Sequence, residues 1–147
     1  KGLAHGDINN DGYVDLIATN SSGSIWEGTE SSIMDSPGPV FIWINGWTGN
    51  NWIKFVLQGR MAVDGTGSNA DGIGARVYIR TTINGKELIQ VQEVRAGSSY
   101  ISMDSIDLEF GIGKAELVND LVIYWPNGTI QIMKNLEVNK LHKIIEP

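Results

Sequence analysis

Asp7-Ile8-Asn9-Asn10-Asp11-Gly12-Tyr13-Val14-Asp15 is the stretch whose residue types and spacing could do chemistry. Oxygen-bearing side chains recur at alternate positions, and glycine stands sixth. That spacing turns Asp7, Asn9 and Asp11 toward a common centre, while the Tyr13 carbonyl can supply a further oxygen. It matches the first half of a helix–loop–helix calcium loop. Such loops carry a glutamate in their twelfth position, where this chain has Ala18. Asp15, in the ninth, has to close the shell, and that departure rules out flanking helices. An all-oxygen set on a glycine-containing turn suits Ca2+ better than Mg2+, which prefers a smaller octahedral shell and keeps much of its water. No soft ligand stands nearby to favour zinc or copper. Three carboxylates facing one centre repel one another without a cation, which strengthens the calcium reading. The plain alternative is a solvated Asn-Asp-Gly turn that binds nothing, since these residues favour turns in any case.

Other constellations carry less chemistry. Asn69-Ala70-Asp71-Gly72 has a similar flavour, but its first ligand position falls on Gly67. It reads as structure: Asn69 and Asp71 bond nearby backbone, and Gly72 and Gly74 take conformations closed to other residues. The two histidines, His5 and His142, stand at opposite ends of the chain, and no nucleophile elbow or His-Glu-x-x-His run is present. Gly111-Ile112-Gly113-Lys114 lacks phosphate-loop spacing and reads as a strand exit. Asp107 and Glu109 alternate with core residues, as on a solvated strand face. No enzyme is expected. Of five tryptophans, four stand at 26, 43, 47 and 52. Aromatic groups can stack on sugars, but more often they fill cores or seal junctions. Trp47 and Trp52 are therefore read as a junction plug, and Trp43 and Trp52 as mostly buried.

The composition bounds the rest. The chain has 147 residues, no cysteine, and 11 basic against 17 acidic side chains, a formal net charge of −6. A phosphate backbone needs a basic face, so nucleic acid is not an expected partner. No run reaches the roughly 18 apolar residues of a membrane span, and no membrane insertion is expected. Without cysteine there is no disulfide framework or thiolate metal site. The N-terminus lacks a signal-peptide pattern and Lys1 stands close to the metal-loop motif, so the chain reads as a C-terminal fragment, expected to be a monomer.

The elements follow from pattern. Val14–Thr19 reads as a strand leaving the metal loop. Residues 20–38 read as loop with little regular structure. Val40–Asn45 reads as a buried strand. Further strands fall at Trp52–Gly59, Ala75–Ile83, Lys86–Val94, Ile106–Phe110, Asp120–Trp125, Thr129–Lys134 and Leu141–Ile145. Ile53, Phe55 and Leu57 share one face of their strand, and Lys54 and Gln58 the other. Asn84-Gly85 and Pro126-Asn127-Gly128 are turn sequences that predict antiparallel hairpins. Lys114–Asn119 could form one helical turn. The fold class is all-β: an antiparallel sandwich or partly open barrel of about seven strands.

Ser68-Asn69-Ala70-Asp71-Gly72-Ile73-Gly74-Ala75-Arg76-Val77, Glu93-Val94-Arg95-Ala96-Gly97, Phe110-Gly111-Ile112-Gly113 and Trp125-Pro126-Asn127-Gly128 together resemble the ASPIC/UnbV domain. That domain closes secreted proteins bearing FG-GAP (β-propeller) repeats, such as cartilage acidic protein-like proteins. The Asp7 loop and the strand after it resemble the calcium loop of an FG-GAP blade. The resemblance implies two parts: residues 1–47, a partial FG-GAP-like repeat with a calcium loop, and residues 48–147, an ASPIC/UnbV-like β domain. It implies a secreted or cell-surface, non-catalytic module for interaction or adhesion, with a protein or a glycan as partner. A carbohydrate-binding module using exposed tryptophans and an accessory domain of a secreted enzyme are the rival readings.

Overall fold

The computed structural model describes residues 2–20, 25–27, 30–32, 38–46 and 49–147. Among these the chain is all-β, with no α-helix and a single 3-10 turn at Arg60–Ala62. Two regions are distinguishable by how they bury their strands.

The first region holds β1 (Leu3–Gly6), β2 (Asp15–Thr19) and β5 (Val40–Trp43) in an antiparallel sheet of order β1-β2-β5. Between β2 and β5, β3 (Ile25–Glu27) and β4 (Glu30–Ser32) pair as a small hairpin. Residues 20–38 are thus not simply loop. β5 is also not the buried strand that its apolar run predicts. All four of its residues are exposed, Trp43 at 52% of its surface. An apolar run specifies a strand, but burial needs a second layer, and three strands supply none.

The second region supplies two layers. One sheet has the order β11-β10-β7-β8, from β7 (Arg76–Ile83), β8 (Lys86–Glu93), β10 (Leu117–Tyr124) and β11 (Ile130–Glu137). The other has the order β12-β6-β9, from β6 (Asn51–Gln58), β9 (Leu108–Gly113) and β12 (Lys140–Ile145). Their inner faces share one core. Ile53 and Phe55 of β6, Val77 and Ile79 of β7, Phe110 and Ile112 of β9, and Leu121 and Ile123 of β10 are all sealed from solvent. Phe55 and Phe110 meet edge to face at 5.8 Å. This is a seven-strand sandwich, not a closed barrel. At one rim, glutamine side chains of β8 bond the β9 backbone: Gln92 Nε2 donates to the Glu109 carbonyl at 2.7 Å, and Gln90 Nε2 to the Gly111 carbonyl at 3.0 Å.

Both predicted hairpins form, β7 to β8 through Asn84-Gly85 and β10 to β11 through Pro126-Asn127-Gly128. Asn84 (φ 50°) and Gly85 (φ 75°) both take the left-handed conformation that a two-residue turn demands. Two expectations are corrected. β12 runs parallel to β6, so the sandwich is mixed and not purely antiparallel. Leu117, within the segment where a helical turn was possible, opens β10, because Val118 has a place in the core and pairs with Leu136.

Candidate functional site

The Asp7 loop leaves β1 and returns into β2, and its own side chains close it. Asp7 Oδ1 and Asn9 Oδ1 both accept the Asp11 amide, at 3.0 and 3.2 Å. Asp7 Oδ2 accepts the Gly12 amide, Asp11 Oδ1 accepts the Tyr13 amide, and Asn9 Nδ2 donates to Asp11 Oδ2 at 2.9 Å. Asp7, Asn9 and Asp11 are thereby gathered at one end of the loop. Asp15 lies apart from them. It is fully buried, and its two oxygens accept the Ile8 and Asn45 amides at 2.9 and 2.7 Å, fastening the loop to the end of β5. Tyr13 sends its hydroxyl to the Asn50 carbonyl at 2.8 Å. Among the described residues, no three histidine, cysteine or carboxylate side chains converge to hold a metal.

Lys54 was not among the predicted site residues, and it decides the electrostatics here. Its strand pattern points it to the outer face of β6, where a solvated side chain is expected. Instead Lys54 is 5% exposed, with Nζ 2.9 Å from Asp7 Oδ2 and 3.1 Å from Glu109 Oε1. Glu109 also accepts the Asp7 amide at 3.1 Å, so its expected solvated strand face is likewise covered. Burial pushes Asp7 up, but the Lys54 ammonium and the Gly12 and Asp11 amides outweigh it and hold the carboxyl below its ordinary value. Burial pushes Lys54 down, but hydrogen bonds and charge from Asp7 and Glu109 raise it past its ordinary value. The loop therefore carries one cation of its own, an ammonium supplied by the second region.

The donor set can be tested for calcium on these facts. Asp7, Asn9 and Asp11 offer clustered hard oxygens, and Glu109 keeps one buried oxygen, Oε2, without a hydrogen-bond partner. Hard oxygens suit Ca2+. Lys54 already neutralises part of the charge, and Asp15 is committed to backbone. Asp7, Asn9 and Asp11 are the hard-oxygen side chains that lie together here, while Asp15 braces the loop through the Ile8 and Asn45 amides.

Trp52 covers this junction. A Cβ built on Gly12, whose φ is 90°, would fall 1.9 Å from Trp52 Cε2, so the indole lies directly on the loop backbone. Trp52 is half-buried and not sealed as expected, and Trp43 does not join it. Trp47, the other half of the predicted plug, lies outside the described residues.

The loop after β8 makes a second tie. Asp104 Oδ1 accepts the His5 amide at 3.0 Å, the Ser105 amide donates to the His5 carbonyl at 2.9 Å, and Ser102 Oγ donates to the Leu3 carbonyl at 2.8 Å. Residues 102–105 thus cover the open edge of β1. Beneath them lies a cleft of about 500 Å³ lined by His5, Arg76, Tyr78, Glu93, Arg95 and Asp104 among others. His5 Nε2 lies 3.3 Å from Asp104 Oδ2. Burial raises Asp104, but the Ser98 hydroxyl, the His5 amide and the His5 and Arg95 charges leave it below its ordinary value. No spacing argument could have joined His5 to a residue 99 positions away.

The Ser68–Ala75 loop is structural, as expected. Asn69 bonds both backbone groups of Ile73 at 2.8 Å, and Gly72 and Gly74 have φ of 64° and 94°. Asp71 is exposed. The partner that sequence reasoning missed is Glu146. It is 2% exposed and accepts the Arg60 amide (2.9 Å), the Ser68 amide (2.8 Å) and the Ser68 hydroxyl (2.8 Å). Burial raises Glu146, but those hydrogen bonds and Arg60 overcome it and hold the carboxyl below its ordinary value.

A seven-strand sandwich with these glycine-bearing loops, braced from its last residues, defines a non-helical β domain with a polar loop unit docked on its rim. The chain belongs to the ASPIC and UnbV family, which matches residues 65–147. β6 lies before the matched segment yet supplies Ile53, Phe55 and Leu57 to the same core. No curated protein matches the chain.

Proposed function

We propose that the chain is a non-catalytic interaction and adhesion module of a secreted or cell-surface protein, the C-terminal part of a larger FG-GAP repeat protein whose Asp7 loop is stabilised by calcium. One observation carries this reading. Val40, Phe41, Ile42, Trp43 and Ile44 are five consecutive exposed apolar residues, on a strand at the margin of a three-stranded sheet. Apolar surface of that extent on a β-sheet margin is what a partner strand or a packed neighbour covers. The calcium part rests on the clustered oxygens of Asp7, Asn9 and Asp11. Bound there, the ion would supply positive charge that offsets carboxylate repulsion.

The test is a binding assay on immobilised extracellular-matrix and cell-surface protein, in calcium and in chelator. The wild-type chain is expected to bind in calcium, and Phe41→Ser/Trp43→Ser to lose binding without losing its melting transition. Equal retention of wild type and double variant would overturn the reading.

A second reading, carbohydrate binding, is favoured by one specific feature. The Phe41 and Trp43 rings are both exposed and lie 14° from parallel, with centroids 5.6 Å apart. Near-parallel exposed rings can stack on sugar faces. Binding to a protein-free glycan array, abolished by the same double variant, would favour this reading over the first.

A further inference from the structure

The outer face of the four-stranded sheet carries exposed apolar side chains on several strands, among them Ile89, Val91, Tyr124, Ile130 and Ile132. The strand registers arrange it in rows. The central row runs Ile132, Val122, Tyr78, Val91 across β11, β10, β7 and β8, and every member is apolar or aromatic. One neighbouring row runs Ile130, Tyr124, Arg76, Glu93, and the other runs Lys134, Asp120, Arg80, Ile89. Ile132 and Ile89 are 62% and 66% exposed, and Tyr78 and Tyr124 meet edge to face at 5.6 Å. A groove of about 500 Å³ crosses the middle of the face, between Tyr78, Tyr124 and Ile132. Contiguous apolar surface rimmed by charge marks an association site on a soluble domain.

The charges around that row say what fits it. Sheets that pack face to face keep their strands within about 30° of each other. Two symmetric arrangements satisfy this for two copies of one sheet. A twofold axis between the sheets and perpendicular to the strands would exchange the two outer rows. It would lay Arg76 on the partner's Arg80 and Tyr124 on the partner's Asp120. A twofold axis parallel to the strands keeps each row in place and reverses the strand order. It lays Val122 on the partner's Tyr78, Ile132 on the partner's Val91, Asp120 on the partner's Arg80, and Tyr124 on the partner's Arg76. The first arrangement sets like charges together. The second joins Val122 and Ile132 to apolar partners, Asp120 to a guanidinium and Arg76 to an aromatic face. At the sheet margins it lays Lys134 on the partner's Ile89 and Ile130 on the partner's Glu93. Twofold symmetry repeats each of these contacts.

We propose that the outer face of the β11-β10-β7-β8 sheet binds the same face of a second copy of this chain about a twofold axis parallel to the strands. The occupant is a second copy because the Arg80–Asp120 ion pair within each chain lies reversed on the partner's in this arrangement, carboxylate over guanidinium.

Sedimentation equilibrium over a range of concentrations tests it, with circular dichroism verifying the fold of each variant. The wild-type chain is expected to reach twice the chain mass. Ile132→Lys, at an exposed edge-strand position, is expected to weaken association by about tenfold or more. Val63→Lys, at an exposed position away from both surfaces, is expected to leave it unchanged. The decisive pair is Arg80→Asp and Asp120→Arg. Each alone sets like charges across the axis and is expected to be monomeric. Mixed in equal amounts, the two complement each other. The carboxylate introduced in one variant meets the guanidinium introduced in the other, and the unchanged Asp120 of the first meets the unchanged Arg80 of the second. A heterodimer is therefore expected. A wild-type chain that stays monomeric, loss of the dimer through Val63→Lys, or a folded pair that fails to associate on mixing would each overturn the proposal. Binding of this face to lipid vesicles or glycans by a monomeric wild type would overturn it too.

Discussion

The two regions begin from similar sequence material and end differently. Val40–Trp43 and Asn51–Gln58 are both strands with large apolar side chains. β6 has Ile53 and Phe55 at no exposure, whereas every residue of β5 is exposed. The difference lies in the second layer. β6 is central in its sheet, flanked by β9 and β12 and covered by the four-stranded sheet. β5 has one neighbour, β2, and no covering sheet among the described residues. What joins the first region to the second is local and largely polar: the Lys54 ion pairs and residues 102–105 along β1, with the Trp52 indole packed on Gly12. Stability is therefore expected to be uneven along the chain.

The sharpest way to break this comparison is a matched pair of phenylalanine truncations, one in the core and one on β5. Phe55→Ala is expected to cost about 3–5 kcal/mol in urea unfolding, through lost burial and the cavity left behind. Phe41→Ala is expected to stay within about 0.5 kcal/mol, as at other exposed positions. Similar costs at both sites would mean that β5 is covered in solution.

Next comes the tie between the regions. Lys54→Met leaves Asp7 and Glu109 buried without their cation, a change worth about 3 kcal/mol. Hydrogen exchange should quicken in β1 and β2 more than in β7 and β10. Uniform quickening would show that the two regions unfold as one unit.

Glu146 tests the second region by itself. Its folded pKa lies below the ordinary 4.5, so its stabilisation is complete above that pH and drains away as pH falls through the folded value. Glu146→Gln is expected to cost about 2 kcal/mol near neutrality, from weakened charge-assisted hydrogen bonds. The melting curves of wild type and variant should converge in acid. A constant gap at every pH would assign the loss to packing and not to charge.

Calcium sharpens the account of the first region. Asp11→Ala is expected to abolish the calcium-dependent rise in melting temperature while costing no more than about 1 kcal/mol in chelator. Asp15→Ala is expected to destabilise in chelator as well, because it strands the Ile8 and Asn45 amides. Equal behaviour of the two variants would mean that Asp15 and Asp11 share one role. The smallest effect is expected at Thr81, buried with an unpartnered hydroxyl. Thr81→Val should be neutral or raise stability by up to about 1 kcal/mol, read from the urea midpoint.

The sequence by itself determined what is local. Alternation marked the strands of the sandwich, because side-chain direction has a period of two residues. Asn84-Gly85 marked a hairpin, because few residues accept two successive positive φ angles. The clustering of Asp7, Asn9 and Asp11 was legible for the same reason, since their spacing acts within five residues, whereas the part Asp15 plays, bonding the Asn45 amide, was not. Only the tertiary structure decided the rest. Lys54 reads as a solvent-facing strand residue until Asp7 and Glu109 are brought to it, 47 and 55 positions away in the chain. Nothing in the sequence singles out Glu146 until the Arg60 and Ser68 amides close on it. β5 reads as core because its pattern records the strand's own hydrophobicity, while burial depends on whether another layer arrives to cover it. β12 shows the same limit: its apolar residues mark a strand, but neither that Ile144 is buried while Leu141 and Ile145 are exposed nor that it runs parallel to β6. Direction depends on where the chain crosses between sheets, and no short stretch of residues encodes that crossing.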